Sequence, residues 1–214
     1  TDMRKRRNVQ DPKLLESSLA TINREGHRLV RLVDDLLSAS RLDNLEFSVR
    51  RTTISLDVLL HDVVDQMRVK GWQKEIEITY KSEPDLPLIF GDYDRLSQMF
   101  INILHNAIKY SDKGGIIDVI LTGEDGWLAA SIRDYGTGID PAQKDMIFSA
   151  FYRVEEDRAR SEGEGGAGLG LYLVKQIAEK HNGRITIDSK VGEGTNVTIR
   201  LPVLEADGTQ KENG

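Results

Sequence analysis

The sequence has 214 residues, 39% hydrophobic and 30% charged, with a formal net charge of −6 and no cysteine. That length supports one compact domain of roughly 150 residues plus an appendage. The composition excludes disulfides and cysteine nucleophiles. It shows no Lys/Arg stripe of the kind that holds nucleic acid, no apolar run near the ~20 residues of a membrane span, and no signal-peptide pattern.

The basic, polar stretch Thr1 to Gln10 is expected to fray. Asp11-Pro12 can start a helix, with Asp as cap and Pro in the first turn. Apolar residues follow at Leu15, Leu19, Ile22, Leu29, Val33 and Leu36, in steps of 4, 3, 7, 4 and 3, and Leu14, Val30 and Leu37 widen the stripe. This is heptad spacing. Such a helix cannot bury its stripe alone and calls for a second helix or chain. Gly26 inside the seam costs about 1 kcal/mol against Ala and suggests a bend or loose packing there.

Glu46 to Thr52 alternates as a strand. Leu56 to Val69 has helical spacing with Ser55 as cap, and Ile76 to Tyr80 reads as a strand. Glu83 to Pro87 is a loop. Asp92 to Tyr110 is a helix turning Leu96, Met99, Phe100, Ile103, Leu104 and Ala107 inward. Ile116 to Leu121 and Trp127 to Ile132 form a hairpin around Gly123 to Gly126. Pro141 to Ile147 is a short helix, and Arg153 to Gly166 is polar and glycine-rich. Leu169 to His181 is a helix closed by Asn182-Gly183. Arg184 to Asp188 and Asn196 to Leu201 form a last hairpin around Gly192 to Gly194. The tail from Glu205 is polar. Hairpins imply an antiparallel or mixed sheet. The fold class is therefore α/β: a two-layer sandwich, mostly antiparallel, with helices on one face and a long N-terminal helix.

No P-loop, H-E-x-x-H or G-x-S-x-G motif occurs. Four histidines, His27, His61, His105 and His181, are too scattered for a zinc site. Three glycine clusters remain: Asp134-Tyr-Gly136-Thr-Gly138-Ile139, Gly166-Ala-Gly168-Leu169-Gly170-Leu171, and Gly192-Glu-Gly194-Thr195. Glycine lets a backbone approach a ligand, and helix N-terminal amides hold anions; each cluster alone reads more readily as a turn or a helix cap than as a binding loop. Asn102 and Asn106 share one helical face, with Lys109 one turn from Asn106. Amides beside a core stripe are costly unless they bind something.

The order of these motifs, with Ile147-Phe148-x-x-Phe151-Tyr152-Arg153 between them, resembles the ATP-binding domain of sensor histidine kinases, within the GHKL superfamily. The likeness spans about Glu46 to Pro202. The segment Arg31 to Leu42 resembles the second helix of that family's dimerisation hairpin. The resemblance implies a partial dimerisation helix at 1–45, an ATP-binding catalytic domain at 46–203 and a disordered tail at 204–214.

The resemblance also implies roles. Asn106 coordinates Mg²⁺ with Asn102 in support, since a hard cation takes oxygen ligands. Lys109 meets phosphate and Tyr110 lines the pocket. Asp134 accepts from the adenine amino group, with Gly136, Gly138 and Ile139 in its loop and Thr195 acting through a water. Gly166, Gly168 and Gly170 let a lid fold over ATP, and amides near Leu169 and Leu171 hold phosphate. Arg153, and with less support Arg158 and Arg160, neutralise charge in transfer. Phe148 and Phe151 anchor the lid.

The hydrolysing branches carry a Glu where this chain has Asn102. A neutral amide cannot act as general base, so the implied reaction is phosphoryl transfer to histidine rather than hydrolysis. The acceptor segment on the first hairpin helix is absent, and none of the four histidines sits in its place. The expectation is a cytoplasmic piece of a longer kinase, unable to autophosphorylate alone. Its parent would be a homodimer compatible with membrane anchorage and would pass phosphate to a response regulator receiver domain. The alternatives are a non-catalytic nucleotide-binding or dimerisation module and a serine kinase of the anti-sigma-factor type.

Overall fold

The computed structural model describes residues 15–23, 26, 29, 30, 33, 50–152 and 168–204. The expectations for Leu14, His27, Leu36, Leu37, the segment Arg31 to Leu42 apart from Val33, the strand residues Glu46 to Val49, Arg153, Arg158, Arg160, Gly166 and the tail from Glu205 lie outside them.

The described N-terminal residues are helical. Leu15, Leu19, Ile22, Leu29, Val30 and Val33 are all exposed, between 53% and 67%. Nothing described in this chain covers the seam.

Strand β1 is Thr52–Ile54; of the described residues in the expected strand only Thr52 belongs to it, and it runs on to Ile54. It pairs antiparallel with β3, Ile89–Gly91, a strand not anticipated from sequence. Between them lie helix α1, Leu56–Trp72, and strand β2, Glu77–Ser82. The Ser55 hydroxyl caps α1 by accepting from Val58 N at 3.4 Å. Helix α2 is Tyr93–Tyr110, capped by Asp92, whose Oδ1 accepts from Arg95 N at 3.1 Å. All six residues expected to face inward from α2 are buried, and Ile108 joins them.

Strands β4, Ile116–Glu124, and β5, Trp127–Asp134, run longer than expected. Their turn contracts to Asp125-Gly126, both at positive φ, which is how a two-residue hairpin matches strand twist. The helix expected at Pro141 to Ile147 is a 3₁₀ turn of three residues, Pro141–Gln143. Helix α3 is Gly170–Lys180, with Leu169 at its N-cap. Strands β6, Arg184–Lys190, and β7, Gly194–Pro202, complete the sheet.

Sheet order is β2-β4-β5-β7-β6. Only β2 and β4 pair in parallel; the rest is antiparallel. The parallel pair needs a long crossover, and α2 lies within it. The three helices pack in a row, α2 touching both α1 and α3.

The register explains the inner face. Val119, Ile132, Val197 and Ile187 form one apolar rung, and Leu121, Ala130, Ile199 and Ile185 form another. The next rung toward the end is Ile117, Asp134, Thr195 and Ser189. The same two-residue period that builds the core thus places three polar side chains at its edge.

At the opposite end of α2, buried His181 joins two helices. Its Nδ1 donates to Ile177 O at 2.8 Å, and its Nε2 accepts from Asp92 N at 3.0 Å. Only the neutral ring can do both. Burial, with Arg51 adding to it, holds its pKa below the ordinary 6.5. The unfolded chain takes up this proton below pH 6.5 and the folded chain resists it. His181 therefore supports folding fully above that ordinary value, and the support drains as pH falls through the folded one. The expected loss is at most ~1.4 kcal/mol per pH unit. Urea midpoints measured near neutral pH and about two units lower will show this slope, and His181→Gln will flatten it.

Candidate functional site

The site is built where the C-terminal end of α2 meets the loop after β5 and the β6–β7 turn. Lys74 finishes α2 by donating from Nζ to the carbonyls of Ile108 and Lys109 at 3.1 and 3.2 Å. A cation there satisfies orphan carbonyls and the helix dipole. Sequence reasoning missed Lys74, because its partners lie 34 and 35 residues away.

Asp134 ends β5 at 6% exposure. Its Oδ1 accepts from Gly136 N at 3.0 Å and from Thr195 N at 3.2 Å. Its Oδ2 takes no hydrogen bond among the described residues. Burial raises the carboxyl pKa against the lowering effect of those two amides and of Arg133. A buried carboxylate with one oxygen committed and one in reserve suits a ligand that brings a donor.

The loop glycines face protein backbone. A methyl on Gly136 would lie 2.1 Å from Tyr110 O, and one on Gly138, at φ +68°, would lie 2.1 Å from Lys190 O. Hydrogen bonds hold the same junctions: Thr137 N to Tyr110 O at 3.2 Å and Gly192 N to Thr137 O at 2.8 Å. Ile139 N donates to Ser189 Oγ at 2.8 Å. Behind the loop, Tyr135 donates to Asp118 Oδ2 at 2.8 Å. Asp134, Gly136, Gly138, Ile139, Tyr110 and Thr195 are thus brought together. Ser189 joins them without any motif to announce it; the only signal was its parity with Ile185 and Ile187.

On α2, Asn102 has a buried Nδ2 with no partner among the described residues. Its two amide ends exchange by a half-turn, so it can present nitrogen or oxygen. Asn106 is half-buried and makes no side-chain hydrogen bond among the described residues. Lys109 Nζ donates to Tyr110 Oη at 2.8 Å and lies 4.4 Å from that ring. No group of three acidic, His or Cys side chains that could hold a metal occurs among the described residues. A cation here would rest on amide oxygens and ligand phosphates, which suits Mg²⁺.

At the third cluster, Gly168 has φ +76° and its carbonyl accepts from Phe151 N at 3.1 Å. Leu169 is buried, and as N-cap it provides no side-chain hydrogen bond to α3. A methyl on Gly170 would meet nothing within 4 Å among the described residues. Among the described residues nothing caps the first turn of α3, which includes Leu171, and such free amides suit an anion. Phe148 is half-buried, and Phe151 is 61% exposed with φ +64°. Among the described residues Phe151 meets Gly168 through its backbone amide.

A polar rung thus ends the two-layer sandwich where the C-terminal end of α2 meets the loop after β5. Comparison with known proteins gives the class. Residues 91–205 match the family "Histidine kinase-, DNA gyrase B-, and HSP90-like ATPase". That is more than half of the chain, which belongs to this family. Sensor histidine kinase RppB of Synechocystis sp. is 33% identical over 89% of this chain and 41% of its own length. Sensor protein kinase WalK of Staphylococcus epidermidis is 35% identical over 90% and 31%. Among solved structures, full-length ShkA in complex with AMPPNP superposes with a TM-score of 0.76 at 28% identity, over 88% of this chain and 38% of ShkA. The chain thus spans less than half the length of these relatives.

Proposed function

We propose that this chain is the Mg²⁺-ATP-binding catalytic unit of a sensor histidine kinase, serving phosphoryl transfer to a histidine carried elsewhere. The observation that carries the reading is Asp134, with Oδ1 spent on two amides and Oδ2 kept for a donor such as the adenine amino group. Asn106 and Asn102 would hold Mg²⁺, which neutralises phosphate charge when bound. Lys109, turning from Tyr110, would meet phosphate, and Gly168 to Leu171 would present the open α3 amides. Arg153 and Gly166 belong to the same reading from sequence. Asn102 in place of a carboxylate leaves no general base to activate water, which favours transfer over hydrolysis.

The exposed seam supports a homodimer in a parent protein that passes phosphate to a response regulator receiver domain. No helix among the described residues is long and apolar enough to cross a membrane.

Calorimetry should show ATP binding that depends on Mg²⁺. Asn106→Ala is expected to abolish the Mg²⁺ dependence while a weak metal-free affinity remains. Dependence unchanged in that variant refutes the metal role. Labelled ATP should leave the chain alone unlabelled. Labelling of the chain itself would refute the reading that the acceptor lies elsewhere. An acid-stable product from a longer parent would mark a serine kinase, since phosphohistidine is acid-labile.

A further inference from the structure

Ser189 stands outside every motif above, yet three groups converge on its hydroxyl. Ile139 N lies at 2.8 Å, Gly194 O at 3.0 Å and Thr195 Oγ1 at 2.9 Å. A serine hydroxyl has one proton and two acceptor lone pairs. The Ile139 amide can only donate and the Gly194 carbonyl can only accept. Ser189 must therefore give its proton to Gly194, and the third contact must be donated by Thr195. This is the one proton assignment that satisfies all three contacts together.

The consequence falls on Thr195, which faces Asp134 directly across β5 and β7. With its proton spent on Ser189, its hydroxyl has only lone pairs to offer. Asp134 offers Oδ2, also an acceptor. The rung holds two acceptors and no proton.

We propose that Ser189 is a positioning residue: by fixing the direction of the Thr195 proton, it makes this rung select a 6-amino purine over a 6-oxo purine. The inference rests on the ATP reading above. A 6-amino group brings protons to the acceptors. A 6-oxo group brings further lone pairs and finds no donor among the side chains of this rung; its N1 proton can meet one acceptor, so the mismatch sits at the 6-position.

The test is the ratio of affinities for Mg²⁺-ATP and Mg²⁺-inosine triphosphate, measured by calorimetry on the whole chain. Ser189→Ala frees the Thr195 proton to turn toward a 6-oxo group, and the preference for ATP should fall about three- to tenfold. Ser189→Thr keeps a hydroxyl and should keep the preference. In a Thr195→Val background no proton remains to redirect, so Ser189→Ala should leave the ratio alone. A merely structural role would weaken both nucleotides together. That outcome, or a ratio change that persists without the Thr195 hydroxyl, overturns the inference. Should Ser189→Ala fail to fold, Ser189→Cys replaces the hydroxyl with a weaker hydrogen-bonding group of similar shape and is read the same way. No ATP binding by the unsubstituted chain would overturn the ATP reading and this inference with it. ATP binding with an unaltered ratio overturns this inference alone.

Discussion

Asp134→Asn is expected to weaken ATP binding roughly 10- to 100-fold while leaving the fold intact, because a charge-assisted hydrogen bond contributes about 1.5–3 kcal/mol. The substitution separates two jobs held by two oxygens. Asparagine keeps an oxygen for Gly136 N and Thr195 N, so the loop stays attached. Its amide nitrogen then takes the place of Oδ2 and turns an acceptor into a donor. Burial raises the Asp134 pKa, so the ionised carboxylate destabilises the folded chain above its unfolded pKa. The neutral variant should melt at the same or a higher temperature, as expected where a site carries strain for function. The same shift means that ATP affinity should fall as pH drops through the raised value. Calorimetry with parallel thermal melts checks both. Unchanged affinity would remove Asp134 from the site.

Gly138→Ala should be strongly destabilising, costing on the order of 3 kcal/mol. Its φ of +68° carries a penalty of about 1–2 kcal/mol for any Cβ. The methyl would also lie 2.1 Å from the Lys190 carbonyl oxygen, backbone that cannot swing aside. The loop must lift from the β6–β7 turn and lose the Gly192 N to Thr137 O bond. Gly170→Ala is the contrast. Its methyl meets nothing within 4 Å among the described residues, and its φ is not positive. Stability should hold or rise by about 0.4–1 kcal/mol. Denaturant unfolding of the two variants distinguishes a glycine that admits the chain's own backbone from one that leaves room for a ligand.

Much of this was legible in the sequence. The α2 stripe was read residue by residue because its buried side chains recur at helical spacing, and Asp92 announces the start. The Asp125-Gly126 turn lay within the loop expected, and the order of motifs was enough to place the chain in its family. The β1–β3 pair was not legible. Three residues are too few for a period-two signal, and the middle residue of β1, Thr53, finds its partner only at Phe90. The segment at Pro141 is a 3₁₀ turn because its amides bond three residues back, Gln143 N to Asp140 O and Lys144 N to Pro141 O, rather than four.

The sequence by itself determined which residues could face a core and which motifs could meet a nucleotide, because period and backbone freedom are local properties. Only the tertiary structure decided what each polar group does. It set Asp134, Thr195 and Ser189 on one rung, put Lys74 under the end of α2 and closed His181 onto Asp92. Those bonds join residues up to 89 positions apart, and sheet register and helix packing, not local spacing, bring such partners within reach.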